Sequence, residues 1–161
     1  MKLRTNRLAD KWATHGTYYN CCGPTETTIV NTMHRHQPGE PLTIGKPTPN
    51  NTVYILDDDL RPVGVGQVGT MWAGGLGVSR GYVGLPEVTA TKYRRDPFAN
   101  DGYVFFQVLM TDTAIIRLHF CRSMMYNTGD LGRWLDFGEI DILGRTDDQV
   151  KVKVIKQSSP R

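Results

Sequence analysis

This chain of 161 residues has little cysteine, no unbroken apolar run of membrane length and no large excess of one charge. Each shortage excludes something. Its three cysteines are an odd number with Cys21 and Cys22 adjacent, which gives no disulfide framework and fits a reducing, cytoplasmic compartment. A formal charge of +3, with lysines and arginines scattered rather than striped, argues against nucleic acid as a partner. The longest apolar stretch, 103–120, is broken by Gln107, Asp112, Arg117 and His119, a poor membrane span. Met1-Lys2-Leu3-Arg4-Thr5 leads into polar sequence without an apolar signal core, so secretion is not expected. His34 and His36 have no zinc-ligand spacing with the cysteines and are expected to face solvent. Asp57-Asp58-Asp59 lacks the calcium-loop pattern and reads as a solvated turn. There is no Ser-His-Asp or Cys-His nucleophile pattern.

What is present reads as a strand-rich α+β chain. Leu8, Ala9 and Trp12 make a short helical stripe, and 17–19 a brief strand feeding the Gly23-Pro24 turn. Residues 27–33 suggest a helix despite their β-branched content. Strands are expected at 52–56 and 68–73, and a glycine-rich bend at 74–81. The stretch 86–95 opens with proline in a first helical turn. Residues 131–135 and 139–143 flank Asp136-Phe137-Gly138 as a hairpin.

Three motifs carry chemistry. Handling a nucleotide's phosphates needs close backbone approach, a hydroxyl donor and a carboxylate for Mg²⁺; Gly23, Thr25 and Glu26 supply these on a turn leaving a strand. An ordinary turn with a capping threonine is the alternative. In Tyr126-Asn127-Thr128-Gly129-Asp130-Leu131, one aspartate could accept both hydroxyls of a ribose, or merely cap a hairpin. Gly144-Arg145-Thr146-Asp147 follows a strand, where a mobile joint could sit. Gly64-Val65-Gly66-Gln67-Val68-Gly69 matches a dinucleotide-binding glycine spacing, but it precedes a strand instead of opening a helix and is set aside.

Together, Asn20-Cys21-Cys22-Gly23-Pro24-Thr25-Glu26-Thr27-Thr28, the Tyr126–Leu131 run and Gly144–Asp147 resemble the adenylation (AMP-binding) domain of nonribosomal peptide synthetases, in its fungal spelling. The resemblance implies a fragment of the large subdomain of the adenylate-forming fold (acyl-CoA synthetase/firefly luciferase-like), including its distorted β-barrel part. It implies that Thr25 touches the α-phosphate, Glu26 holds Mg²⁺, Asp130 holds the ribose, Arg145 contacts the nucleotide and Asp147 is the hinge. Cys21, Ile29 and Val30 would line the pocket for an amino-acid side chain, an apolar one by their character. Cys22 stands where many relatives place a tyrosine near adenine. The segment 66–82 resembles the family's Gly-Glu-x-Gly-Glu-Leu run ending in Ala-Arg-Gly-Tyr, with Thr70 and Ser79 departing from it, and suggests structure more than chemistry. ATP or AMP, Mg²⁺ and an amino acid are the implied ligands. Peptidyl-carrier domains bearing phosphopantetheine and condensation domains are the implied partners.

The resemblance covers 1–153 with one interruption, and 154–161 has no counterpart. Relatives pass from Asp-Pro-Phe to Tyr-x-Thr-Gly-Asp through a short connection, whereas here 103–123 intervenes. Gly102-Tyr103-Val104 can be encoded with GTATGT, Thr111-Asp112 with CTGAC and Arg122-Ser123 with CAG, the signals of an in-frame intron. The expectation is therefore a translated intron, since a long apolar insertion is costly unless packed. Neither the phosphate loop nor the catalytic lysine of the family is found, so the fragment is expected to be inactive alone. Rival expectations are an acyl-CoA ligase or carboxylic-acid reductase, and a non-catalytic nucleotide-binding or interaction remnant.

Overall fold

The structure, a computed structural model, describes residues 6–99 and 123–146 in full and the backbone of 104–108 and 116–120. The order is α1 (Asn6–Ala13), β1 (Tyr18–Cys22), a 3₁₀ turn (Thr25–Thr27), β2 (Thr32–His36), β3 (Lys46–Pro47), β4 (Asn51–Leu56), β5 (Gly69–Gly75), α2 (Pro86–Lys92), β6 (Tyr93–Arg95), β7 (Val104–Val108), β8 (Ile116–Phe120), β9 (Met124–Trp134) and β10 (Ile140–Arg145). It is the strand-rich α+β pattern expected.

Two antiparallel sheets build the body: β1-β2-β3, and β10-β9-β5-β4 with β6 pairing the far end of β9. The eleven-residue β9 is the spine, pairing with β10, β5 and β6. A core of Cys22, Ile44, Val53, Ile55, Met71, Ile140 and Ile142 joins the sheets, and a second cluster gathers Leu56, Trp72 and Met125. On β4 and β5 the buried residues run nearly continuously, as for strands covered on both faces. Each fully buried apolar side chain there contributes about 1.5–3 kcal/mol. β7 and β8 pair only with each other among the described strands.

Two expectations fail locally. Residues 27–33 are not a helix: Thr28 (φ 59°) and Ile29 (φ 71°) turn left-handed after the 3₁₀ turn, and Thr32 begins β2. β-Branched side chains resist a helix, and the backbone bonds go instead from Asn31 N to Cys22 O and along β2 to β1. The same strand overturns the solvent-facing histidines. Its alternation buries Thr32, His34 and His36, with His36 Nε2 2.8 Å from Asp10 Oδ1 and His34 Nδ1 3.0 Å from Glu139 Oε2. Helix α2 stops at Lys92, and Tyr93 turns into β6 to join β9.

Candidate functional site

β9 meets the sequence motifs at two places, the Glu26 turn near Tyr126 and Arg145 of β10 at Asp130. At its middle, Thr70 and Trp72 of β5 face Leu131 and Asn127, so β9 carries extra residues opposite Met71. Gly129 (φ 74°) supplies the left-handed step of this bulge. Thr128 is buried, donates to Met71 O at 2.8 Å and accepts from Asp130 N at 3.1 Å, which fixes the backbone just before the aspartate. A second bulge interrupts the β10–β9 register between Ile142 and Gly144, and beyond it Arg145 stands directly opposite Asp130. Bulges next to each other re-aim both side chains, and Arg145 Nη1 donates to Asp130 Oδ1 at 3.1 Å. Thr146 closes the corner with two bonds to Gly129 O.

Burial raises the carboxyl of Asp130 above its usual range, and the Arg145 charge opposes that shift. Asp130 thus sits in a partly desolvated place with a cation beside it. Asp147, the expected hinge, lies outside the described residues.

Four positions before Asp130, Tyr126 marks the other half of the site. The 3₁₀ turn brings Glu26 against it: Tyr82 Oη donates to Glu26 Oε1 at 2.6 Å and lies 3.3 Å from Tyr126 Oη. Burial first, then the neighbouring Tyr82 hydroxyl and Glu26 charge, pushes the Tyr126 phenol well above its ordinary range, and burial does the same to Tyr82. Both therefore stay protonated as donors. Among the described residues, no lysine, arginine or histidine forms a salt bridge with Glu26. Across the bulge, Tyr126 to Leu131 runs opposite only Ala73 to Thr70, so the two ends of this stretch lie about 10 Å apart.

Gly23 owes its place to crowding. A Cβ there would lie 2.2 Å from Ile29 O and 2.8 Å from Asn31 N, so only glycine lets the turn fold back. Thr25 is exposed beside Glu26. Of the expected side-chain pocket, Cys21 is exposed, Ile29 is 71% exposed on its left-handed turn, and Val30 is half-buried. Cys22 points into the core instead of toward a ligand. Among the described residues, no three His, Cys, Asp or Glu side chains converge as a metal cage. A hard cation held by Glu26 would take its remaining ligands from phosphate and water, which is how Mg²⁺ commonly binds. Glu26 with a neighbouring hydroxyl residue fits that ligand set.

Tyr82, Ser79 and Tyr93 pack around this corner, and the sequence motifs do not mark them. The one signal for them is the run Ser79-Arg80-Gly81-Tyr82, whose glycine-rich setting suggests structure more than chemistry.

Comparison with known proteins bears on the family and the fold. Residues 5–83 match the family described as AMP-binding enzyme. Over 91% of its length the chain is 51% identical to Adenylate-forming reductase 03009 of Coprinopsis cinerea, and over 91% it is 40% identical to Tyrocidine synthase 2 of Brevibacillus parabrevis. It spans 12% and 4% of those proteins. A crystal structure of the nonribosomal peptide synthetase FmoA3 superposes with a TM-score of 0.63 at 32% identity, over 81% of this chain and 12% of that one. An artificially fused adenylation–PCP di-domain, NpsA-ThdA from Klebsiella oxytoca, superposes with a TM-score of 0.65 over 87% of this chain and 26% of that one; at 21% identity this likeness speaks for the fold alone. The chain is a partial AMP-binding domain of the adenylate-forming enzymes. Its strand-rich structure is that of a fragment of the adenylate-forming fold.

Proposed function

We propose that this chain is the nucleotide- and metal-facing part of an adenylating domain that joins an amino acid to AMP and passes it to a phosphopantetheine carrier. The observation that carries the reading is the register pair Asp130–Arg145, aimed by two bulges, on the strand whose Tyr126 meets Glu26. Asp130 accepts two hydrogen bonds from a ribose, and Arg145 holds its carboxylate in place and contacts the nucleotide. Thr25 donates to the α-phosphate. Glu26 holds Mg²⁺, which when bound offsets charge on the leaving pyrophosphate. In the intact domain the substrate carboxylate attacks the α-phosphorus, the bond to pyrophosphate breaks, and catalysis is positioning and charge stabilisation. Cys21, Ile29 and Val30 face the amino acid, and Asp147 is the hinge. A cytoplasmic enzyme acting with carrier and condensation domains goes with this reading; among the described residues no helix is long and apolar enough to cross a membrane.

The chain alone is expected to bind nucleotide weakly and to form no adenylate. Pyrophosphate exchange with pooled amino acids checks this, and exchange above background by the purified chain would contradict it. A second reading has its own support: identity is 50–51% to two adenylate-forming reductases but 35–40% to peptide synthetases such as tyrocidine synthase 2. An adenylating domain of a carboxylic-acid reductase is thus the rival. Amino-acid against simple carboxylic-acid exchange by the full-length protein separates the two.

We also propose that 103–123 is a translated intron. Tyr93, Arg94 and Arg95 already pair with Tyr126, Met125 and Met124, so β6 and β9 form a hairpin that residues 96–102 could close. Sequencing of spliced transcript tests this: codons 103–123 should be missing, and their retention in the mature message would overturn it.

A further inference from the structure

The segment 77–82, between β5 and α2, is stitched to the Glu26 turn at three points. Thr28 Oγ1 donates to Gly77 O at 2.7 Å, Ser79 N donates to Glu26 O at 2.8 Å, and Tyr82 Oη donates to Glu26 Oε1 at 2.6 Å. The first two bonds hold the backbone of the turn. The third touches the carboxylate itself.

Tyr82 is in turn held on every side. Its N–H donates to Thr89 Oγ1 at 2.9 Å, and that hydroxyl donates to Leu85 O, which ties Tyr82 to the first turn of α2. Gly81 (φ +120°) makes the approach possible, because a Cβ there would lie 2.4 Å from Thr89 Cγ2. The Tyr82 ring meets Tyr93 edge-on, with centroids 5.8 Å apart, and Tyr93 packs on Tyr126 at 5.0 Å. Ser79 Oγ lies 2.7 Å from Tyr93 Oη, so the serine that departs from the family's alanine helps lock this cluster. A phenol so constrained has one use for its proton.

We propose that Tyr82 is the positioning residue for Glu26, fixing the rotation of its carboxylate so that it meets a nucleotide-bound divalent cation. The inference rests on the reading of Glu26 given above. Glutamate carries three side-chain torsions, and a free carboxylate samples many orientations. A hydrogen bond from a phenol locked by its neighbours to one oxygen removes most of them before any cation arrives, which is the part of binding that preorganisation supplies. Among the described residues no cationic side chain pairs with this carboxylate, so its charge stays available to a metal.

The test uses the full chain, with metal-free AMP and Mn²⁺-ATP as probes, and reads free Mn²⁺ by electron paramagnetic resonance alongside calorimetric AMP binding. Tyr82→Phe should weaken Mn²⁺-ATP about tenfold, the effect of one lost hydrogen bond to a charged group, and leave AMP within about twofold. Tyr93→Phe, which touches the same cluster but not Glu26, should leave both unchanged. In a Glu26→Gln background Tyr82→Phe should add nothing. If Tyr82→Phe melts out by circular dichroism, Tyr82→His, which keeps a ring and a donor, should retain Mn²⁺ binding; a folded Tyr82→His that loses it overturns the proposal. Unchanged Mn²⁺ binding by folded Tyr82→Phe overturns it too, as does equal loss of AMP and Mn²⁺-ATP in Tyr82→Phe and Tyr93→Phe. Wild-type chain that binds Mn²⁺-ATP no better than Glu26→Gln sinks the reading of Glu26 itself, and this proposal with it.

Discussion

Glu26 and Asp130 are the two carboxylates of the proposed site, and the chain treats them differently. Asp130 is half of an internal ion pair: Arg145 stands across the ladder at 3.1 Å, and two bulges aim both side chains. Glu26 has no cation of its own among the described residues and is held by hydroxyl groups. A carboxylate neutralised from within suits a neutral ligand such as a pair of ribose hydroxyls. One left charged and oriented suits an external cation. The contrast follows from location: Asp130 is seated inside a sheet, where an unpaired charge is expensive, whereas Glu26 rides on a short surface turn.

The sharpest way to break the Glu26 half is to move its turn. Gly23→Ala drives a Cβ into Ile29 O and Asn31 N and should destabilise the chain by about 3 kcal/mol, measured by urea unfolding. It should also abolish Mn²⁺-ATP binding while sparing the Asp130–Arg145 pair. On the other side, Arg145→Met leaves Asp130 partly buried without its partner. Because both groups retain some exposure, the expected cost is about 1–2 kcal/mol rather than that of a fully buried pair. The equivalent neutralisation at Glu26, Glu26→Gln, should change stability little.

Smaller effects come from titration. Asp130 has its folded pKa raised above 3.8, so the folded state takes up the proton first. Its ionisation therefore costs stability above the folded value, and the cost fades as pH falls toward 3.8. Wild type should lose stability relative to Asp130→Asn as pH rises through that window, and nucleotide affinity should move the opposite way, as the carboxylate forms. Asp10 is the contrary case. The hydrogen bond from His36, then that from Gly39 N, lowers its pKa below 3.8. Its contribution is present above 3.8 and lost as pH falls through the folded value, a loss that Asp10→Asn should remove. Thermal melts of the three chains between pH 2.5 and 6 check both signs (a range set about the ordinary carboxylate pKa).

Gly23 was readable because the close backbone approach there demands glycine, and the crowding by Ile29 and Asn31 shows why. Strands β4 and β5 were legible for a similar reason, their apolar and β-branched runs being long enough to declare a period. Residues 27–33 were not. A string of Thr, Ile and Val carries no helical stripe, and the left-handed Thr28 and Ile29 are set by contacts to Gly77 and Gly23 from elsewhere in the chain. His34 and His36 misled because polarity suggests solvent, whereas the pairing of β2 with β1 decides which face is buried. Tyr82 was hidden for the same reason: its partner Glu26 lies 56 positions away, a distance no local pattern spans.

The most direct test of the central claim is residue-resolved NMR of the full chain titrated with AMP. Shifts should gather at Asp130, Arg145 and the Glu26 turn, and leave the His34–His36 strand still. Shifts absent throughout, or centred on the buried histidines, would contradict the account.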